Sequence, residues 1–389
     1  MEKSIHENTR KGSYYETRDN INAIRYEDFF LNNSIMPTSP HVTYTFIPKV
    51  SAFAKETNKV YLLHVGTATL SGLEKVLAEY DLNTNTLKQI GVIGEITSTS
   101  NSGIGSVCSL HYYNDYLYFT IRTLVGNSHH LDLYKYSLDT NTYSLVDSSN
   151  FGTNNSQAPL SPTNKTLSAP TWGDKGYFIS SSSFSGNTQR ESISIIDFSK
   201  NTLSFLSYEY STSSRGTMDI HTFCVYEDVG YMIQRNNTTC WLMELNLQTG
   251  NSKITERFEI SGGLTSATGS TMNLFLLGNE GYFLFSFFRS SDDAFSLIFN
   301  VKQREFKSSK MLNFPLFTGT LNSMIRGDNY VYQIQGGSII DYKVRRYEMA
   351  RKSLIGRIPE GVDIYVDDKV ITTEEDKVHT IGYNDYITI

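Results

Sequence analysis

Two short signatures recur six times in this chain, always in the same order, and that repetition limits its fold more than any other feature. The first is a tyrosine opening a hydrophobic run, with asparagine or aspartate three residues before it. It occurs at Asn58/Tyr61, Asp115/Tyr118, Asp174/Tyr177, Asp228/Tyr231, Asn279/Tyr282 and Asn329/Tyr332, so the tyrosines stand 50 to 59 residues apart. The second signature follows later in each unit: YDLNTNTL at Tyr80, YSLDTNTY at Tyr136, IDFSKNTL at Ile196, LNLQTGNS at Leu245, FNVKQREF at Phe299 and YEMARKSL at Tyr347. Each signature reads as strand, tight turn, strand. Asn and Asp suit such turns because they tolerate a left-handed backbone and hydrogen-bond their own chain.

A unit of this length with four short strands is one blade of a β-propeller. In the second unit the pattern predicts strands over residues 107–113, 117–122, 131–136 and 143–147. Slim residues on the first strands (Ser51-Ala52, Val107-Cys108-Ser109, Ser168-Ala169, Asn322-Ser323) suit crowding around a central axis. The 26 Tyr and 22 Phe would fill the space between neighbouring blades. The expected fold is therefore all-β: a six-bladed propeller over 42–358, an N-terminal arm or attachment segment over 1–41 and a short C-terminal β extension over 359–389. Residues 20–30, with Asp19 as cap, suggest a short helix in the arm. Ring closure falls to a strand at 42–46 or to the C-terminal tail.

The segments YDLNTNTL and Lys59–Tyr61 resemble the kelch-type repeat, in which a hydrophobic-Tyr strand precedes a Tyr-Asp-turn-Trp segment. The resemblance spans about 42–358 and implies a kelch-like propeller. The paired glycines usual in the family after the second strand occur only at Gly336-Gly337, and its Trp is replaced by Leu87, Tyr143, Leu203, Phe306 and Leu354.

Charge and rare residues exclude several classes. With 34 basic and 40 acidic residues and no basic run, nucleic acid and membrane insertion are not expected. Cys108, Cys224 and Cys240 lack metal-ligand spacing and read as small buried thiols. The eight histidines fall in no metalloenzyme motif, so neither a metal nor another cofactor is expected. Residues 1–6 open onto charge rather than a signal-peptide core.

Antiparallel four-stranded blades put the tight signature turns on one face. The blade connections (91–106, 147–167, 208–221, 259–272, 313–322) emerge on the other. So do the loops between second and third strands (123–130, 180–191, 235–239, 289–294). Function concentrates on irregular loops over a rigid scaffold, which nominates His129, His130, Phe184, Asn187, Arg190, Arg215, Asp219, Arg235, Asn236, Arg289, Asp292 and Asp293 as ligand-binding residues. Their amides, carboxylates, isolated Arg and aromatic rings suit sugar hydroxyls and pyranose faces. The general character resembles the receptor-binding or baseplate propellers of tailed phages. That resemblance implies a non-catalytic virion component that recognises a cell-surface glycan or protein receptor and joins other structural subunits through its terminal segments. An intracellular kelch-type adaptor, cytoplasmic and protein-binding, is the alternative. A surface-glycan hydrolase or lyase using Asp292 and Asp293 is the third reading.

Overall fold

The computed structural model describes the backbone of residues 48–65, 75–93, 107–125, 128–152, 169–185, 188–211, 218–236 and 239–259, with short strands between Tyr15 and Ile35 and between Asn273 and Thr388. Side chains are described for 50–63, 76–93, 107–123, 125, 128–151, 169–180, 192–208, 223–232, 241–254 and 332.

The chain is all-β, built from several four-stranded antiparallel sheets. The first four repeats each contribute one. The first sheet runs Pro48–Ala54, Lys59–Val65, Lys75–Asp81 and Thr86–Ile93, with Asn32–Ile35 added in parallel on its outer edge. The second runs Val107–Tyr113, Tyr116–Val125, Ser128–Ser137 and Thr142–Gly152. The third comprises Thr171–Trp172, Lys175–Ser185, Thr188–Asp197 and Thr202–Ser211. The fourth comprises Met218–Tyr226, Val229–Asn236, Thr239–Asn246 and Ser252–Glu259.

Both signatures are turns, and their chemistry is visible. Asn58, Asn114, Asp115, Glu227 and Asp228 have positive φ in the turns between first and second strands, as do Asn85, Asn141 and Asn201 between third and fourth. Gly173 and Gly250 take this conformation in the remaining two turns. The first signature also caps the second. The carbonyls of Asn58, Asp115, Asp174 and Asp228 accept the amides of Leu82, Leu138, Phe198 and Leu247 at 3.0–3.2 Å. Within the second signature, Asp81, Asp197 and Asn246 each accept backbone amides from the turn that follows. The Tyr80 and Tyr136 hydroxyls reach Asn85 and Asn141, five residues on, at 2.8 and 3.0 Å.

The core lies between sheets. Val50, Leu63 and Ile93 of the first sheet pack with Leu117, Phe119 and Tyr136 of the second. Cys108, Tyr118, Leu131 and Leu133 meet Phe178, Ile196 and Phe198 of the third. Tyr177, Ile193 and Tyr208 meet Phe223, Met232 and Met243 of the fourth. Tyr61, Tyr118 and Tyr177 of the first signature thus serve as inter-sheet packing.

Two glycines before those tyrosines exist because a neighbouring ring occupies the Cβ position. A Cβ on Gly176 would lie 2.8 Å from His111 Nδ1 and from Phe198 Cζ; one on Gly230 would lie 2.7 Å from Phe223 Cε2. Gly176→Ala is therefore expected to lose about 1–3 kcal/mol by overpacking. Chemical denaturation checks this, and an unchanged midpoint would refute it.

The terminal segments differ from expectation. Of the helix expected over 20–30, the described part, Tyr26–Phe30, is instead a strand paired antiparallel with Lys343–Glu348, and 20–25 lie outside the described residues. The register sets Glu27 opposite Arg346 and Asp28 opposite Arg345, opposite charges that favour pairing over a helix too short to persist alone. Consequently the sixth repeat's sheet is Tyr26–Phe30, Lys343–Glu348, Tyr330–Gln335 and Asn322–Arg326. The segment expected as its fourth strand, Arg351–Gly356, pairs instead with Tyr15–Thr17 and His379–Gly382. The strand expected over 42–46 lies outside the described residues.

Candidate functional site

The segments expected as loops between second and third strands are mostly strand. Pairing continues to Val125 opposite Ser128, Ser185 opposite Thr188 and Asn236 opposite Thr239, leaving two residues between strands in each case. Polar side chains hid this, because the backbone ladder needs partners rather than hydrophobicity. The dipeptides Gly126-Asn127 and Gly186-Asn187 were the missed hairpin signal.

The nominated residues therefore stand on strand ends. His129 and His130 lie in the third strand of the second sheet, Phe184 and Arg190 across the third sheet's hairpin. Arg235 and Asn236 close the second strand of the fourth sheet, Asp219 is near the start of its first, and Asp293 begins Asp293–Asn300. Asn187, Arg215, Arg289 and Asp292 lie outside the described residues.

Two polar groups occupy the hairpin end of the second sheet, one on each of its faces. On the side toward the first sheet, Asp132 is buried and both carboxyl oxygens have a hydroxyl donor. Thr123 Oγ1 donates to Oδ2 at 2.6 Å and Ser148 Oγ donates to Oδ1 at 2.5 Å. His130 Nδ1 lies 3.5 Å from the same serine oxygen. These hydroxyls offset much of the cost of burying a carboxyl group. The register makes Val76, Ser192 and Trp241 the counterparts of Asp132 in the other three sheets, each three residues before the partner of a signature tyrosine. Sequence reasoning missed Asp132 because it sits inside an apolar run, Leu131 to Leu133, that reads as core.

On the opposite side, Arg122 places a guanidinium nitrogen 3.3 Å from Nδ1 of buried His129. Cys108 packs in the same region, its thiol pushed up to about 12 by burial despite the nearby Arg122. The register puts Cys108 and Cys224 at different points of their sheets. Cys224 stands opposite Tyr231, whereas His111 stands opposite Tyr118 and Cys108 falls in the irregularity between Val107 and Ser109. Both thiols are buried, as expected. His111 is buried between Phe178 and Phe198, 3.3 Å from Thr171 Oγ1, and burial holds it down at about 3.

Among the described residues, the other buried carboxylates are accounted for as scaffold. Glu79 pairs with Lys59 at 3.1 Å and Lys88 at 3.2 Å, and Glu244 with Lys253 at 3.1 Å. Among the described residues, no three His, Cys, Asp or Glu side chains cluster as metal ligands.

No protein-family model matches this sequence, and no curated protein does. Solved structures do match in fold. Two structures of an α-L-arabinofuranosidase from Fusarium graminearum, in complex with an iminosugar inhibitor, superpose at TM-score 0.50 with 8% identity. They cover 82% and 84% of this chain and 97% and 98% of theirs. The endosialidase of phage phi92 matches at TM-score 0.47 and 10% identity, over 84% of this chain and 69% of its own. An α-L-arabinanase of Penicillium chrysogenum, complexed with arabinobiose, matches at 0.46 and 9%, over 83% and 98%. The likeness places the chain among β-propeller-like folds. It also corrects the expectation of a non-catalytic binding protein. The two structures at TM-score 0.50 are of a glycan-hydrolysing enzyme, the class of the reading placed third. Sequence reasoning ranked it last because no catalytic box repeats along the chain.

Proposed function

We propose that this chain is a glycoside hydrolase of hydroxyl-rich glycans, on a six-bladed propeller of kelch-like repeats. The observation that carries the reading is Asp132: a buried carboxyl group, held by two hydroxyls at a hairpin end, where the other sheets carry Val76, Ser192 and Trp241. The fold shared with an arabinofuranosidase supports it. Six blades are supported by the last repeat packing on the first: Tyr332 meets Tyr80 edge-to-face at 6.1 Å, and Asn322–Arg326 lies beside Pro48–Ala54.

Glycosidic cleavage uses two carboxyl groups, one donating a proton to the leaving oxygen and one serving as base or nucleophile. Asp132 is one; Asp292 and Asp293 are the candidates for its counterpart. The test is product release from arabinan, capsular polysaccharide and teichoic acid by the purified protein. Asp132→Asn, with an unchanged unfolding midpoint, is expected to lower the rate about 100-fold or more. Absence of product from every polymer, or full activity in Asp132→Asn, would overturn the proposal.

A further inference from the structure

Among the described residues, Arg122 is a cation without an anion. Among the described residues no carboxylate forms an ion pair with it, its Nε is buried with no hydrogen-bond partner, and His129 Nδ1 is the acceptor for a terminal nitrogen. The other described cations that approach the core meet a carboxylate or, for Lys135, an amide oxygen and an aromatic face. Lys59 and Lys88 bind Glu79, Lys253 binds Glu244, and Lys135 lies 3.3 Å from Asn201 Oδ1 and 4.0 Å from the Tyr116 ring centroid. Cys108 supplies no compensating charge, since burial keeps its thiol protonated. Holding an unpaired guanidinium partly out of water is costly, and burial lowers its pKa accordingly. The scaffold does not require a cation at this position. Four residues after the signature tyrosine, the first and third sheets have Val65 and Ser181, while the fourth has Arg235.

We propose that Arg122, backed by His129 at the hairpin end of the second sheet, is a subsite for an anionic group on the glycan, a carboxylate or a phosphodiester. Guanidinium is the side chain suited to both, because its planar fork matches two oxygens at once. The subsite extends the hydrolase reading by naming the class of substrate, and it rests on that reading only for the ligand being a glycan.

Binding measurements on the full chain test it independently of catalysis. The probes are oligogalacturonate, a glycerol-phosphate polymer of the teichoic type and a neutral arabino-oligosaccharide, each compared by affinity electrophoresis at low and high salt. At least one anionic probe is expected to bind, more weakly at high salt. Arg122→Gln is expected to weaken that binding about tenfold or more, with partial recovery in Arg122→Lys. Which anionic probe binds separates a carboxylate from a phosphodiester. If Arg122→Gln fails to fold, thermal protection of the unaltered protein by galacturonate or glycerol phosphate, against galactose, decides the matter. Equal binding of neutral and anionic probes, equal protection by charged and neutral monomers, or undiminished anionic binding in Arg122→Gln would overturn the subsite. Anionic binding without hydrolysis of any polymer would leave the subsite standing while removing the hydrolase reading.

Discussion

Tyr118→Ala is expected to destabilise the protein by about 3–5 kcal/mol, the range for deleting a large buried ring. Tyr118 opens the second strand of the second sheet, yet most of what it touches belongs to the third. Its ring lies 4.8 Å from that of Phe198, and its hydroxyl reaches the Phe198 carbonyl at 3.2 Å and Asn201 Oδ1 at 3.0 Å. Asn201 holds a positive φ in the turn after Ile196, where the third repeat lacks the tyrosine that Tyr80 and Tyr136 supply in theirs. Tyr118 therefore supplies across the sheet boundary a hydroxyl that the turn does not find in its own repeat. Tyr118→Phe keeps the ring and is expected to cost only about 1 kcal/mol. Chemical denaturation of both variants separates the ring from the hydroxyl. Equal losses for the two would show that packing between these sheets is not what Tyr118 provides.

The second large effect is acid sensitivity centred on His111. Burial lowers its folded pKa to about 3, while in the unfolded chain it titrates near about 6.5. Below the unfolded value, the unfolded state takes up a proton that the folded state does not. Its contribution is thus fully present above about pH 6.5 and is lost as pH falls toward 3. Between pH 7 and pH 5 the loss amounts to about 2 kcal/mol. The ring cannot escape by exposure, because it is enclosed by Phe178, Phe198 and the space left by Gly176. His111→Gln is expected to start less stable at pH 7 but to lose that much less on acidification. An identical pH 7-to-5 decrement in variant and parent would place the acid sensitivity elsewhere.

Local chemistry explains how much of this architecture was legible. The turns were readable because left-handed backbone at Asn58, Asn85, Asn141 and Asn201 demands a short list of residue types, and those residues recur at fixed spacing. The candidate site was not readable in the same way. His129 and His130 looked like loop residues because their neighbours are polar, whereas unbroken pairing to Val125 opposite Ser128 makes them strand. Asp132 looked like an interruption in a core strand, and only the donors Thr123 and Ser148, from strands on either side, show how it is held. A single carboxyl group at one repeat, such as Asp132, likewise leaves no periodic mark.

By itself the sequence determined the repeating unit and its turns, because each turn is a matter of a few adjacent residues and their permitted backbone angles. Tertiary structure alone decided what crosses from one unit to the next. Tyr118 serves a turn in the third sheet, and Tyr26–Phe30 takes the place expected for Arg351–Gly356. It also set Asp132 and Arg122 on opposite faces of one hairpin end. Those outcomes depend on register and on which surfaces meet, and residues far apart in the chain settle both.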